Sequence, residues 1–437
     1  MTATARPVAP PPTSSGLARL RDWTDVHRSS TIIVAMLIVS VAMYFLPLFP
    51  PLSIVQQPGS WYDSFANAGV FVLLAMGLNV VIGMAGLLDL GYAAFFAIGA
   101  YTYAYSNSPF SGLDLPFFPM LVIGAFVAAV FGILLGAPTL RLRGDYLAIM
   151  TLGFGEIVPI VFLNLDSYTQ GTNGIGGIYR PEQLAFTIPF TDFKLFDLGE
   201  FGAISPFNYF IVMLGIVTLT MILLYRLQDS RVGRAWNAIR EDELAAAANG
   251  INTVTTKLLA FALGATTSGL AGVFNASKLT IVSPDQFLFT VSFTVLAMVI
   301  LGGMGNIWGV AVGAFIVYMI QVVVLKNINA VLETIHFPAF TIPLINFHID
   351  LVNVKFVEFQ FLLYGVAVVL MMLLRPEGLF PSQRRRQELH IAEDFDDGLG
   401  ETSEVPVIPD AVLAAAPAPE PDPSSSDGGT PDVGNRS

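Results

Sequence analysis

The sequence predicts an all-α polytopic membrane protein of about ten transmembrane helices, and three observations carry that prediction. Hydrophobic residues make up 54% of the 437-residue chain and charged ones only 12%, far from the balance of a soluble globular domain. Several apolar runs approach or exceed the ~20 residues that a helix rising ~1.5 Å per residue needs to cross ~30 Å of hydrocarbon. Lysine and arginine are distributed unevenly about those runs, as a fixed orientation in a bilayer requires.

Candidate crossings fall at residues 31–50, 64–82, 90–106, 117–138 and 146–165, then at 207–225, 257–277, 287–304, 307–325 and 356–374. The first run is too long for the ~7–15 residue core of a cleavable signal, and no small-residue cleavage motif follows, so it is expected to remain as an anchor. Residues 83–91 and Gly302 to Gly309 are Gly-rich joints, where a re-entrant or broken helix serves as well as a simple turn. A cytoplasmic N-terminal segment 1–30, a transmembrane domain 31–375 and a tail 376–437 follow from this division.

From Glu388 onward there are twelve acids against one base, Arg436, so this stretch carries −11 of the net −12 and the remainder only −1. With one aromatic, Phe395, and many Pro, Ser, Ala and Gly residues, it cannot bury enough apolar area to offset its ordering entropy. The tail, basic at Arg384 to Arg386 and then acidic, therefore reads as disordered. The N-terminal 17 residues, with Pro7, Pro10, Pro11 and Pro12, read the same way. The lack of cysteine excludes disulfides, thiolate metal sites and cysteine nucleophiles.

Placing the N-terminus in the cytoplasm puts sixteen Lys and Arg residues inside and leaves Arg180, Lys194, Lys278, Lys326 and Lys355 outside, in keeping with the positive-inside rule. Ten crossings return the chain to the cytoplasm, where the Arg384 to Arg386 cluster belongs. The longest inner loop is then 226–257. Within it, Arg234 to Asn249 is rich in helix formers, Gly250 stands where a left-handed cap is needed, and Asn252 or Thr253 can cap the next span. Trp236 and Ile239 share a face with Ala246, while Arg240, Glu241 and Asp242 point more to solvent. Such a helix can dock in a protein groove through its aromatic anchor. It can also lie on the bilayer, although Glu241, Asp242 and Glu243 oppose anionic headgroups.

Glycines at 132 and 136, and at 305, 309 and 313, have the small-xxx-small spacing that lets helix backbones approach in lipid, so packing is their first reading. Glu156 lies mid-span in YLAIMTLGFGEIVPIVF, three residues before Pro159. Asn79 in the second span and Asp89 at the following joint are further polar candidates. A water-lined pathway accounts for all three; a bundle-internal hydrogen bond accounts for Asn79 alone, and a silent partner on another helix accounts equally for Glu156. The four histidines have no metal-ligand spacing. No lysine follows a glycine, so a GK[ST] nucleotide loop is absent.

The blocks GLNVVIGMAGLLDLGYAAFFAIGAYTYA (77–104), RGDYLAIMTLGFGEI (143–157), TNGIGGI (172–178), GRAWNAIREDELAAAANGINTVTTKLLAFALGA (233–265) and GLAGVFNASKLTIVSPDQFLFTVSFTVLAMVILGGMGNIWGVAVGA (269–314) occur in that order. As a set they closely resemble the permeases of branched-chain amino-acid ABC importers, specifically the second of the two permease types that such importers pair. The resemblance implies a permease domain over 31–375, whose coupling loop 226–257 docks on an ATPase through Arg234, Trp236, Ile239, Arg240, Glu241, Asp242, Glu243, Ala246 and Gly250. Glu243, Ala245, Ala246 and Gly250 resemble the importer signature, but Leu244 stands where the signature's acid would align with Gly250. The resemblance also implies partners: two ATPase subunits that use the ATP, a second homologous permease, an extracytoplasmic substrate-binding protein and an amino-acid substrate, with no nucleic acid and no cofactor held by this chain. The location implied is a bacterial inner or plasma membrane with both termini cytoplasmic. Urea or amide importer permeases share the layout, and an ion-coupled carrier is the rival suggested by the broken spans and Glu156. The outer segments 166–206 and 326–355 read as covering loops or contacts for a binding protein.

Overall fold

In a computed structural model the chain is described at residues 28–46, 58–139, 145–181, 183–187, 194–200, 206–325, 340–342, 347–349, 359–375 and 378–380. The expected disorder of the tail from Glu388 and of the first 17 residues, most of segments 1–30 and 376–437, and most of 326–355 lie outside these residues. The described residues are overwhelmingly α-helical, as predicted. Apart from a single turn at Asp166–Thr169, the described α-helices are α1 (Arg28–Phe45), α2 (Pro58–Asn79), α3 (Ala93–Ser106), α4 (Phe117–Thr139), α5 (Asp145–Asn164), α6 (Pro206–Gln228), α7 (Arg231–Glu241), α8 (Glu243–Ala248), α9 (Thr253–Leu279), α10 (Phe289–Gly302), α11 (Ile307–Met319) and α12 (Gln360–Leu374). Ten of them coincide in position with the ten candidate crossings, and α7 and α8 occupy the inner loop. Six spans among the described residues are long and apolar enough to cross a bilayer: 59–84, 117–139, 146–164, 206–228, 253–279 and 284–302.

Both Gly-rich joints are breaks. Helix α2 continues as a π-helix, Val80–Met84, after which the chain leaves helical geometry until Ala93; α10 stops at Gly302 and α11 starts at Ile307. Among the described residues, strand structure is confined to three antiparallel pairs: β1 (Ile175–Gly176) with β4 (Ile281–Val282), β2 (Gln183–Thr187) with β3 (Lys194–Glu200), and β5 (Phe340–Ile342) with β6 (Phe347–Ile349). The first pair fastens residues beyond α5 to the far end of α9.

Helix α9 is the centre of the bundle, lying against α2, α3 and α4. Water does not drive helices together inside lipid, so close backbone approach must do so. At Gly269 a Cβ would come within 2.6 Å of the Ala128 methyl and 2.8 Å of the Gly124 carbonyl oxygen, and Gly99 presses on Gly269 from the other side. Packing is therefore the role of these glycines. Tyr92, in the first joint, donates a 2.8 Å hydrogen bond to Gly264 O and bonds Thr267 Oγ1 at 3.1 Å. This hydroxyl ties the non-helical joint to the central helix.

Candidate functional site

The loop between α6 and α9 forms two helices rather than the single Arg234 to Asn249 helix expected. The cause is local. Asp242 adopts an extended conformation (φ −152, ψ 111), and its Oδ1 accepts from Leu244 N at 2.8 Å and Ala245 N at 3.0 Å. An aspartate side chain offering itself as an N-cap competes with helix continuation. Ser230 caps α7 through Gly233 N. Gly250 takes the expected left-handed conformation (φ 83), with Ile251 N bonded to Ala246 O, and Asn252 Oδ1 caps α9 at Thr255 N.

The shared face of Trp236, Ile239 and Ala246 is as expected, but it turns toward this chain itself. These side chains retain 0%, 5% and 4% exposure, and Trp236 Nε1 donates to Thr256 O at 2.7 Å. The aromatic anchor expected to enter a partner's groove is thus spent on holding the arm to α9, because the start of α9 lies within its reach. Arg240 differs from expectation too. Its Nη1 donates to Gly83 O at 2.5 Å, and its stem lies against Gly86, where a Cβ would approach Arg240 Cγ to 2.8 Å. Gly83 lies in the last turn of the helical segment, where carbonyls lack intrahelical partners, and the Arg240 guanidinium reaches one of them.

Glu243 forms a 2.6 Å ion pair with Lys257 near the start of α9, the two side chains being 34% and 9% exposed. Glu241, Asp242, Leu244, Ala245, Ala247 and Gly250 are exposed, as is Arg234, which bonds Asp229 O at 2.9 Å. The arm therefore has an inner side fixed to α2 and α9 and an outer side free of this chain.

Asn79, Asp89 and Glu156 occupy three different environments. Asn79 is fully buried, and its Oδ1 accepts from Gly305 N at 2.8 Å, joining the first break to the second. Asp89 is 2% exposed and accepts from Gly91 N at 2.9 Å, while the neighbouring Leu90 N donates to Thr151 Oγ1 at 3.1 Å. Glu156 sits on the opposite, exposed face of α5. A carboxylate near the bilayer centre costs at least ~2.5 kcal/mol even on lenient scales, and this one stands among the exposed apolar side chains of Ile149, Ile157 and Ile160.

Sequence reasoning missed a polar cluster at the other end of α9. Lys278 Nζ pairs with Asp63 Oδ1 at 2.8 Å and donates to Asn67 Oδ1 at 2.6 Å and Asp63 O at 3.0 Å. Asp63 and Asn67, one turn apart on α2 and themselves hydrogen-bonded, were the available signal. Helix α9 is thus held by an ion pair near each end. A cavity of about 290 Å³ between α1, α2, α6 and α11, lined by Met36, Met43, Phe65, Met213, Met221 and Trp308 among others, is apolar and offers no partner for a zwitterion.

Residues 62–373 match the model of a family described as branched-chain amino acid transport system / permease component. The chain is 38% identical over 330 residues to the high-affinity branched-chain amino acid transport system permease protein LivM of Escherichia coli K12, spanning 73% of this chain and 70% of that protein. It is 36% identical over 369 residues to LivM of Salmonella typhimurium, spanning 82% and 76%. It is also 23% identical over 269 residues to the E. coli K12 permease protein LivH, whose name specifies a transport system of the same description, spanning 58% of this chain and 82% of that protein. No solved structure matches the chain.

Proposed function

The chain belongs to the branched-chain amino acid transport permease family, and from that premise we propose how it works: partner ATPases move this membrane-spanning import subunit by gripping the outer side of α7 and α8. It is a multi-pass membrane protein and the permease component of a branched-chain amino acid importer. The observation that carries the mechanism is the bond from Arg240 to Gly83 O, seconded by the Glu243–Lys257 pair. A force applied to the outer side of the arm passes through these contacts into the broken end of α2 and the start of α9. Asn79 extends the linkage from α2 to the joint before α11.

In this reading two ATPase subunits sit beneath the arm, a second homologous permease completes the conduit, and an extracytoplasmic binding protein delivers leucine, isoleucine or valine. Transport proceeds by alternating access, ATP shifting the permease because its two states present the arm differently to the ATPase pair. Both termini face the cytoplasm, in keeping with the excess of basic residues assigned to that side. Leucine uptake by the reconstituted complex tests the reading. Uptake is expected to stop when the ATPase partner is catalytically dead, and uptake that persists overturns it.

A further inference from the structure

Among the described residues, the outward faces of α1, α4 and α12 toward mid-span are hydrocarbon, with Leu37 at 61%, Phe126 at 67% and Leu370 at 49% exposure. Helix α5 departs from this pattern at one residue, Glu156, which is exposed among Ile149, Ile157 and Ile160. Ile149, Gly153, Glu156 and Ile160 follow one another along one face, and all four are exposed. Glu156 is the twelfth of the helix's twenty residues, about half-way through the bilayer at ~1.5 Å per residue. Among the described residues no cation is paired with it. Only 28% of the α5 span is buried within the protomer, against 83% for the span containing α2, so α5 is a peripheral helix whose outer face carries a charge.

Lipid supplies neither water nor a counter-charge at that depth, and intramembrane carboxylates face a bundle interior or a water-filled cavity. Gly153 adds room: a Cβ there would meet nothing within 4 Å, and small residues allow close helix approach. We propose that this face of α5 lines the aqueous seam between the protomer and the second, homologous permease subunit, where the Glu156 carboxylate meets the ammonium group of the amino acid in transit. The inference rests on the importer reading above and adds the face on which the two permeases meet and the group on the cargo that Glu156 attracts. A carboxylate suits this task because it attracts the ammonium without a fixed geometry and releases it to water.

The natural chain has no cysteine, so Gly153→Cys introduces its sole thiol. In the complete importer, with the other subunits made cysteine-free, a membrane-impermeant maleimide is expected to label Gly153→Cys at least about tenfold faster than the lipid-facing Leu370→Cys, because a thiol reacts as thiolate and ionises in water but not in hydrocarbon. Saturating leucine should slow that labelling. Glu156→Gln should lower leucine uptake about tenfold with the complex still assembled, the loss expected when a charged hydrogen-bond partner becomes neutral, and Glu156→Asp should recover part of it. Labelling at position 153 no faster than at 370, or native uptake by Glu156→Gln, overturns the proposal. The ATP dependence of uptake by the native chain in the same vesicles tests the importer reading separately. ATP-independent uptake with position 153 still labelled from water would overturn the importer and leave the water-lined face standing.

Discussion

Arg240 and Gly83, 157 positions apart in the chain, are joined by a 2.5 Å hydrogen bond from a guanidinium nitrogen to a main-chain carbonyl. The donor sits near the end of α7 and the acceptor in the π-helical turn that ends α2. The last turn of a helix leaves carbonyls without intrahelical partners, and a charged donor satisfies one of them. The bond makes the arm and the first break a single mechanical unit.

Arg240→Ala is therefore expected to leave the protein inserted and to lower leucine uptake by at least about tenfold, in line with the ~1.5–3 kcal/mol of a charge-assisted bond. Glu241→Ala, on the free outer side, should instead weaken association with the ATPase partner. Uptake and co-purification assays on the two variants separate these effects.

Trp236 is fully buried beneath the arm. Its replacement by alanine should cost about 3–5 kcal/mol through lost packing, read as rapid amide exchange across residues 231–250. Trp236→Phe keeps most of the packing but leaves the Thr256 carbonyl without its donor, and should cost about 1–3 kcal/mol. Unchanged exchange in both variants would show that the arm is held by other contacts.

The Glu243–Lys257 pair is half-buried, so its worth lies between the ~0–1 kcal/mol of exposed pairs and the larger penalty for breaking buried ones. A double-mutant cycle with Glu243→Gln and Lys257→Met, read by thermal unfolding in detergent, should give a coupling of about 1–2 kcal/mol. Zero coupling would leave Arg240 and Trp236 as the arm's fastenings.

At the far end of α9 the expected asymmetry is chemical. Asp63 is 50% exposed at its side chain and Lys278 only 6%. Removing the carboxylate strands a buried ammonium on Asn67 and a carbonyl, whereas removing the ammonium frees a carboxylate that already reaches water. Asp63→Ala should thus lower the melting temperature more than Lys278→Met does, and the reverse order would refute this account.

The sequence by itself determined whatever depends on near neighbours. Apolar run length placed the ten helices, glycine clusters marked the two breaks, and Gly250 and Asn252 announced their caps, because capping is decided within a few residues. Even locally one competition was misjudged: Asp242 split the arm by bonding its own backbone. Tertiary structure alone decided which way the amphipathic arm turned. Periodicity defines the face shared by Trp236, Ile239 and Ala246 but not the surface that covers it, and here the chain's own α9 lies against it. The same limit hid the bonds from Arg240 to Gly83, from Gly305 to Asn79 and from Lys278 to Asp63. Each joins residues more than 150 positions apart, and nothing in local spacing encodes which polar groups a folded bundle will bring within 3 Å.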